Sequence, residues 1–533
     1  MKVKKMKLSN VVKQLINILA LLVCVFLFII NIVYINNIDN TEFSSIQRSG
    51  LGRLFLYIGI IILITIFAFV VNKIKVGKTQ KIITTFCLFC LYTFVSFFWV
   101  SEAVTIPVAD SAQIMKISTC MSGFDTFNGY AYNYMAYYPQ QITISALFSG
   151  LFSLVGKADY KLIEYLNVIC NVGSIGGLLC IVNHFSKKYK INKAIFYIFS
   201  MTFLPVIFLT TFVYGDFIGM MFMIWALYTA LKFTESKKKR FVFCTSILTA
   251  IGCLFRMNYI IFAIAIIIYW VIDIYLQEKF QIKKWLLGVA IIAMFIAIIF
   301  IPGSVVKKIY INKYDLDSSK AFSTIPYVYM GMSEGDRGYG WYNNEMGLRV
   351  FHMMSDSKEQ AENISKGCKE DLIERINYFS NHPIYTIKFY TYKNISMWAE
   401  PTMEFGFYNS FIEKDKNIDE YPIAKSVSDG KIKEYAKIYQ KALIILILIS
   451  TVSIIIFNVK EKNNDIILFV LVFLGGFSFH MLWEAKSRYI IPYYISLIPI
   501  ATIGLSIFIE KLNGLIIKKR KGNVIKLWKK YQW

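Results

Sequence analysis

LINILALLVCVFLFIINIVYI, residues Leu15–Ile35, contains no charged residue. A helix needs about 20 mostly apolar residues to cross roughly 30 Å of hydrocarbon, and this stretch meets that length. Leu54–Val71, Ile83–Val100 and Trp285–Ile301 repeat the pattern, as do many other runs. The chain is 56% hydrophobic and 17% charged over 533 residues, with a mean hydropathy of +0.51. Soluble domains are about 45–50% apolar. The reading is therefore an all-α polytopic membrane protein with about 12 or 13 transmembrane helices and a mixed extracytoplasmic segment. The first block is taken as a span and not a cleaved signal, because it is long and no small-residue cleavage site follows it.

The formal charge of +24 does not indicate nucleic acid. The basic residues sit in short loops between apolar runs, which is how cytoplasmic loops are marked. On that rule the N-terminal MKVKKMK, the Asn72–Lys81 loop, His184–Lys193, Glu235–Arg240, Gln277–Lys284 and the tail KKRKGNVIKLWKK face the cytoplasm. Ser101–Gln140, Tyr214–Asp216, Arg256–Asn258, Pro302–Gln440 and Trp483–Arg488 then face outward. One parity conflict arises: Ile142–Gly156 and Leu162–Val182 cannot both cross if Gln140 is outside and His184 inside. Ile142–Gly156, about 15 residues opening on Pro-Gln-Gln, is the better candidate for a re-entrant or interfacial helix. The alternative is a local failure of the charge rule at His184.

The expected organisation is an N-terminal transmembrane module over 1–302, with a first large outer loop at 101–140. An extracytoplasmic segment at 303–440, transmembrane helices at 441–511 and a basic cytoplasmic tail at 512–533 follow. A helical pattern runs near Glu359–Phe379. The nine cysteines are scattered, mostly inside apolar runs, and behave as small hydrophobes. Only Cys120 and Cys368 fall in outer segments, where a disulfide is conceivable. His184, His352, His382 and His480 lie far apart with no Cys/His cluster, so zinc has no footing.

Ionisable groups at the membrane boundary are expensive to place, and four outer clusters need a reason. In PVADSAQIMKIS, Asp110 could take a proton from a hydroxyl or cap a helix by accepting from Ala112 or Gln113. In NGYAYNYMAYYPQQ, tyrosines crowd before Pro139; they can anchor at the interface or form a wall for sugar rings and hydroxyls, with Tyr138 and Gln140 nearest the next helix. In TTFVYGDFIG, Asp216 follows Gly215 and could serve the chemistry or simply form a turn. Finally, Arg256, close to Asn258 in FRMNY, and Lys486 with Arg488 in WEAKSRYIIPYY are outer cations. They suit a lipid phosphate, or snorkel to headgroups.

In order and sidedness, Asp110, Tyr138-Pro139-Gln140-Gln141, Tyr214-Gly215-Asp216, Arg256-Met257-Asn258-Tyr259, Trp398-Ala399-Glu400-Pro401-Thr402 and Glu484-Ala485-Lys486-Ser487-Arg488-Tyr489 resemble the GT-C glycosyltransferases. The similarity is to the family 39, protein mannosyltransferase-like type, especially divergent Gram-positive members. One departure is that Ser111 follows Asp110, where many protein O-mannosyltransferases carry Glu. That leaves a single acid there, so a metal-independent reaction is expected and no metal or cofactor is assigned.

The resemblance implies a multi-pass enzyme of the cell membrane with its active site on the extracytoplasmic face. It would move a sugar from a polyprenyl-phosphate donor to a cell-envelope glycopolymer or protein in one inverting displacement. Asp110 and Asp216 are then the catalytic candidates. Tyr138, Gln140, Arg256, Asn258, Lys486, Arg488, Trp398 and Glu400 are the substrate-binding candidates, with Trp341, Tyr342 and Trp398 as stacking residues. An O-antigen-type polysaccharide polymerase, a lipid-linked sugar transporter or flippase, and a scaffold are the competing readings.

Overall fold

The computed structural model describes residues 8–74, 76–274, 282–345, 358–461 and 466–530. The basic N-terminal heptapeptide and most of the Gln277–Lys284 loop lie outside the described residues. The fold is helical, and its spans follow from the apolar runs. Helices α1 (Leu8–Val33), α2 (Leu51–Val71) and α3 (Lys78–Glu102) are linked by a short antiparallel hairpin, β1 (Tyr34–Ile38) and β2 (Ser44–Arg48), and by the loop at 72–77. The hairpin pairs Tyr34 with Arg48 through to Ile38 with Ser44. Leu51, Phe55, Leu63, Phe86 and Phe94 on α2 and α3 are largely exposed, as a lipid-facing surface requires.

The outer loop folds into α4 (Asp110–Met121), α5 (Gly129–Tyr137) and α6 (Ile142–Val155), and α7 (Tyr160–Phe185) crosses next. A broken pair follows, α8 (Lys193–Met201) and α9 (Leu204–Phe208), bent by 44°. Then come α10 (Asp216–Ser236), α11 (Lys239–Phe255), α12 (Ile260–Ile274) and α13 (Ile282–Lys313). The segment after α13 holds α14 (Ile325–Met332), a two-residue hairpin at Glu334–Gly335 and Gly338–Tyr339, α15 (Lys358–Asn381), α16 (Pro383–Trp398), α17 (Phe405–Tyr408) and α18 (Pro422–Asp429). Helices α19 (Lys431–Glu461), α20 (Ile467–Leu482) and α21 (Ile491–Lys530) complete the chain. The expected helix near Glu359–Phe379 is α15. Helix α13 runs through Pro302 to Lys313, and α19 begins ten residues before Lys441, so both helices extend beyond the apolar runs that announce them.

Among the described residues, eight helices are long and apolar enough to cross a membrane, or nine if the bent pair is one span. The apolar helices Met257–Ile272 and Ile467–Leu482 are shorter. The expected number of about 12 or 13 is higher than this; adding the two short helices and α11 to the spans gives 11 or 12.

Both ends of α6 are tied to the same end of the bundle. At its start, Gln141 Nε2 donates to the Tyr214 hydroxyl at 2.6 Å and Thr143 Oγ1 to the Leu254 carbonyl at 2.9 Å. Beyond its end, Lys161 Nζ donates to the carbonyls of Val100 and Ala103 at the foot of α3, and the Tyr160 hydroxyl bonds Glu413. A 14-residue helix with both flanks at one end of the bundle does not cross it, which is the geometry expected of a re-entrant or interfacial helix. The 26 residues of α7 then span about 39 Å to the opposite end, where Lys187 and His184 meet Glu235 and Lys190 meets Glu510.

The bent α8–α9 pair leaves carbonyls without helical partners inside the bundle, where water cannot satisfy them. Polar side chains in the neighbouring helices do. Asn167 Nδ2 donates to Thr210 O and Phe212 O at 2.9 and 3.1 Å, Asn171 to Val206 O at 2.9 Å, and Asn409 to Phe208 O at 2.9 Å. The break delivers Tyr214 and Asp216 to the end of the bundle that also gathers Asp110, Arg256 and Arg488.

Candidate active site

Asp110 is the first residue of α4, and the preceding Ala109 holds a left-handed φ of 50°. The amides of Ala112 and Gln113 donate to the Ala109 carbonyl, so the backbone fills the capping role that the Asp110 side chain could have taken. That side chain instead accepts from the Tyr134 hydroxyl at 3.0 Å. The tyrosine run divides. Tyr132 bonds the carbonyls of Tyr314 and Asp315, anchoring the end of α13. Tyr134 and Tyr138 pack ring to ring at 4.7 Å, and Tyr138 stacks on Phe322 at 5.4 Å. The Asp110 charge reaches Tyr130, Tyr134, Tyr138, Tyr214, Tyr327, Tyr342 and Glu484, so a phenolic wall surrounds this carboxylate. Gln140 hydrogen-bonds Tyr327 within it.

Asp216 opens α10 directly after Gly215. A Cβ at residue 215 would run into the Phe255 carbonyl, so glycine lets the Tyr214–Asp216 turn close on the end of α11. Arg256 caps that end. Its Nε lies 3.3 Å from Asp216 Oδ1, while Arg488 Nη1 lies 3.6 Å from Oδ2. Two tyrosines hold both guanidiniums: Arg256 sits 4.5 Å from the Tyr214 ring centre and 5.2 Å from Tyr489, and Arg488 sits 4.7 Å from Tyr489 and 5.8 Å from Tyr214. Arg488 also packs 4.4 Å from the Phe212 ring and donates from Nε to the Tyr408 hydroxyl at 2.8 Å. Burial, opposed by Arg256 and Arg488, pushes the Tyr214 phenol up to about 12; it stays protonated at neutral pH.

Next to this cluster, Lys486 and Arg337 both pair with Glu42, which hangs from the β1–β2 turn. Glu42 is 5% exposed. Its burial pushes the carboxyl up, but Lys486 and Arg337 outweigh that and hold it below the usual carboxylate range. Glu404 accepts from the Ser487 amide at 2.6 Å and the Arg488 amide at 3.3 Å, fixing the turn that presents Lys486 and Arg488. Glu484 is buried too; burial, helped by Asp110 and Glu42, raises its carboxyl despite Lys486 and Arg488.

A narrow cleft lies beside the ion cluster. Leu209, Phe212, Phe217, Met220, Ile491 and Pro492 make its apolar wall, and Asp216 and Arg488 stand among them. The arrangement offers an apolar cleft that reaches the Asp216–Arg488 ion pair, with Tyr214 in the field of the Asp110 carboxylate.

Asp110, Asp216, Tyr138, Gln140, Arg256, Lys486 and Arg488 are therefore gathered at one end of the bundle. Asn258 lies in the turn after Arg256, half-buried. Two expectations of direct substrate contact are corrected. Trp398 is fully buried among Phe473, Phe477 and Tyr494, and a ring enclosed by aromatics offers no face to a sugar. Glu400 spends Oε1 on Thr402 and Oε2 on the Glu404 amide and the Ser487 hydroxyl, so it shapes the Glu404–Ser487 contact from behind. Trp341 is also enclosed and bonds Ser396, whereas Tyr342 lies in the field of Asp110. No disulfide joins Cys120 and Cys368.

Sequence reasoning missed Glu42, Arg337 and Glu404, and gave Tyr489 no role although it closes a quoted motif. The Glu42 hairpin is short and carried no motif. Glu404 stands just past the quoted Trp398–Thr402 stretch, and its signal was a charged group at the same boundary.

Residues 142–301 match the family model described as dolichyl-phosphate-mannose-protein mannosyltransferase. No curated protein matches the chain. The matched stretch runs from α6 into α13 and carries Tyr214, Asp216, Arg256 and Asn258, so over that stretch, and in its multi-pass helical fold, the chain is similar to membrane glycosyltransferases of the GT-C type.

Proposed function

We propose that the chain transfers a sugar from a polyprenyl-phosphate donor to a hydroxyl of a cell-envelope acceptor, on the extracytoplasmic face. The observation that carries this reading is the buried ion cluster of Asp216, Arg256 and Arg488 beside a narrow apolar cleft lined by Phe212, Phe217 and Ile491. A polyprenyl chain suits the apolar wall, and its phosphate suits the guanidiniums, which can grip two oxygens each.

In the displacement, an acceptor hydroxyl oxygen bonds to the anomeric carbon as the bond from that carbon to the phosphate oxygen breaks. The phosphate keeps the electron pair, and Asp110 takes the hydroxyl proton. Negative charge grows on the leaving oxygen, so cations already in place lower the barrier; Arg256, Arg488 and Lys486 fill that role. Asp216 holds the two guanidiniums in register, and the tyrosines around Asp110 supply ring faces and hydroxyls for the sugar. Attack from the face opposite the phosphate inverts the anomeric configuration. The outward placement rests on the basic loops gathered at the other end of the bundle.

The test is incubation of the purified protein in nanodiscs with a labelled polyprenyl-phosphate sugar and envelope acceptors. Single-sugar transfer is expected. Elongation of a lipid-linked repeat would identify a polymerase instead, and passage of donor across a vesicle membrane without transfer would identify a flippase.

A further inference from the structure

Glu42 has no counterpart among the motifs of the site and lies outside the matched stretch 142–301. Three observations converge on it. It is buried, yet charged and paired with both Lys486 and Arg337. Its φ is 65°, a conformation that glycine or asparagine adopts easily and that other residues pay about 1 kcal/mol or more to hold. The turn is built to hold it: Asp39 Oδ1 accepts from the amides of Thr41 and Phe43 at 2.9 Å each, and the Glu42 amide donates to the Asp39 carbonyl. The hairpin itself is fixed to the site's framework, since the Asn36 side chain donates to Ser396 O at 2.8 Å and its amide to Ala399 O at 3.1 Å. A tight turn would be easier to form with asparagine at residue 42; a glutamate there serves the cations.

We propose that Glu42 is a positioning residue for the donor phosphate: the β1–β2 hairpin holds it against Lys486, and that contact aims the ammonium beside Arg488. The inference rests on the reading of the site as a lipid-phosphate site, and it adds an N-terminal element to it. Without the carboxylate, Lys486 keeps its charge but loses its anchor, and a long four-carbon stem regains its rotamers.

The experiment measures binding of a polyprenyl phosphate, separately from sugar transfer, to wild type, Glu42→Asn, Glu42→Asp, Lys486→Met and the Glu42→Asn/Lys486→Met double variant in nanodiscs. Asparagine removes the charge without adding backbone strain. Glu42→Asn and Lys486→Met should each weaken binding by about tenfold, a change of about 1.4 kcal/mol. The double variant should be no weaker than Lys486→Met alone, because Glu42 acts through Lys486. Glu42→Asp, which keeps the charge and tolerates the backbone, should recover part of the loss. Unchanged binding in Glu42→Asn overturns the proposal, as do multiplicative losses in the double variant. A loss of thermal stability with binding intact identifies a structural turn only and also overturns it. Wild type that binds no polyprenyl phosphate overturns it together with the donor assignment. Wild type that binds the phosphate with this pattern yet transfers no sugar sustains the positioning role and defeats the transferase reading.

Discussion

The guanidinium of Arg256 lies 4.5 Å from the centre of the Tyr214 ring, while its Nε reaches Asp216 at 3.3 Å. Tyr214 in turn sits in the field of Asp110, so one phenol feels both the cations and the proposed base. Its hydroxyl accepts from Gln141. A planar group held by stacking and by one carboxylate is not replaced by a flexible ammonium. Arg256→Lys should therefore lower kcat for sugar transfer by about 10²–10³ while the protein still inserts and folds. A steady-state assay that finds transfer within about twofold of wild type would remove Arg256 from the chemistry.

The raised Glu484 carboxyl gives the site a pH dependence. Burial is the main cause, with Asp110 and Glu42 adding to it and Lys486 and Arg488 opposing it. A raised carboxyl keeps its proton to higher pH than an exposed glutamate, and protonated Glu484 leaves the charge of Lys486 and Arg488 for the phosphate. As pH rises through that raised pKa, a negative charge appears beside the cations and donor affinity falls. Donor KM should rise with pH across that window, and Glu484→Gln should flatten the profile. A profile identical in wild type and Glu484→Gln would separate Glu484 from donor binding.

Gly215 is a steric prediction. A methyl at residue 215 meets the Phe255 carbonyl, and neither the turn nor the end of α11 can move without shifting Arg256. Gly215→Ala should cost about 1–3 kcal/mol and lower the thermal midpoint of the detergent-solubilised protein, with activity falling as Arg256 shifts.

Asn167 tests the account of the broken helix. It alone serves both the Thr210 and Phe212 carbonyls among the described side chains. Asn167→Leu keeps the size and removes the donor; the Phe212 carbonyl keeps the Tyr214 amide, and the loss at the Thr210 carbonyl should cost about 1–3 kcal/mol. The α9–Tyr214 segment should then exchange its amide hydrogens faster than the same segment in wild type.

The membrane spans were legible in the sequence because they depend on local composition. Twenty apolar residues announce a span, and a basic loop announces its side. Even the parity conflict at Ile142–Gly156 was informative: it fell on a short helix whose two flanks are tied to the same end of the bundle. Asp216, Arg256 and Arg488 were legible for a related reason, since charges at an apolar boundary need partners, and they proved to be one another's. Trp398 and Glu400 misled because a motif in sequence does not say which way its side chains point. Trp398 faces the helix core, and Glu400 turns back onto its own loop. Glu42 was invisible because its meaning comes from residues 295 and 444 positions away, and no local pattern encodes such a meeting.

The central claim is that Asp110 takes the proton of an attacking hydroxyl while lipid phosphate departs. It is tested most directly by single-turnover transfer from a radiolabelled polyprenyl-phosphate sugar, comparing wild type with Asp110→Asn in matched nanodiscs. Asp110 is exposed and bonds Tyr134, so asparagine should fold normally and still bind donor. Transfer should fall by about 10²–10⁴ with donor affinity unchanged. Transfer at the wild-type rate by a folded Asp110→Asn protein would contradict the account.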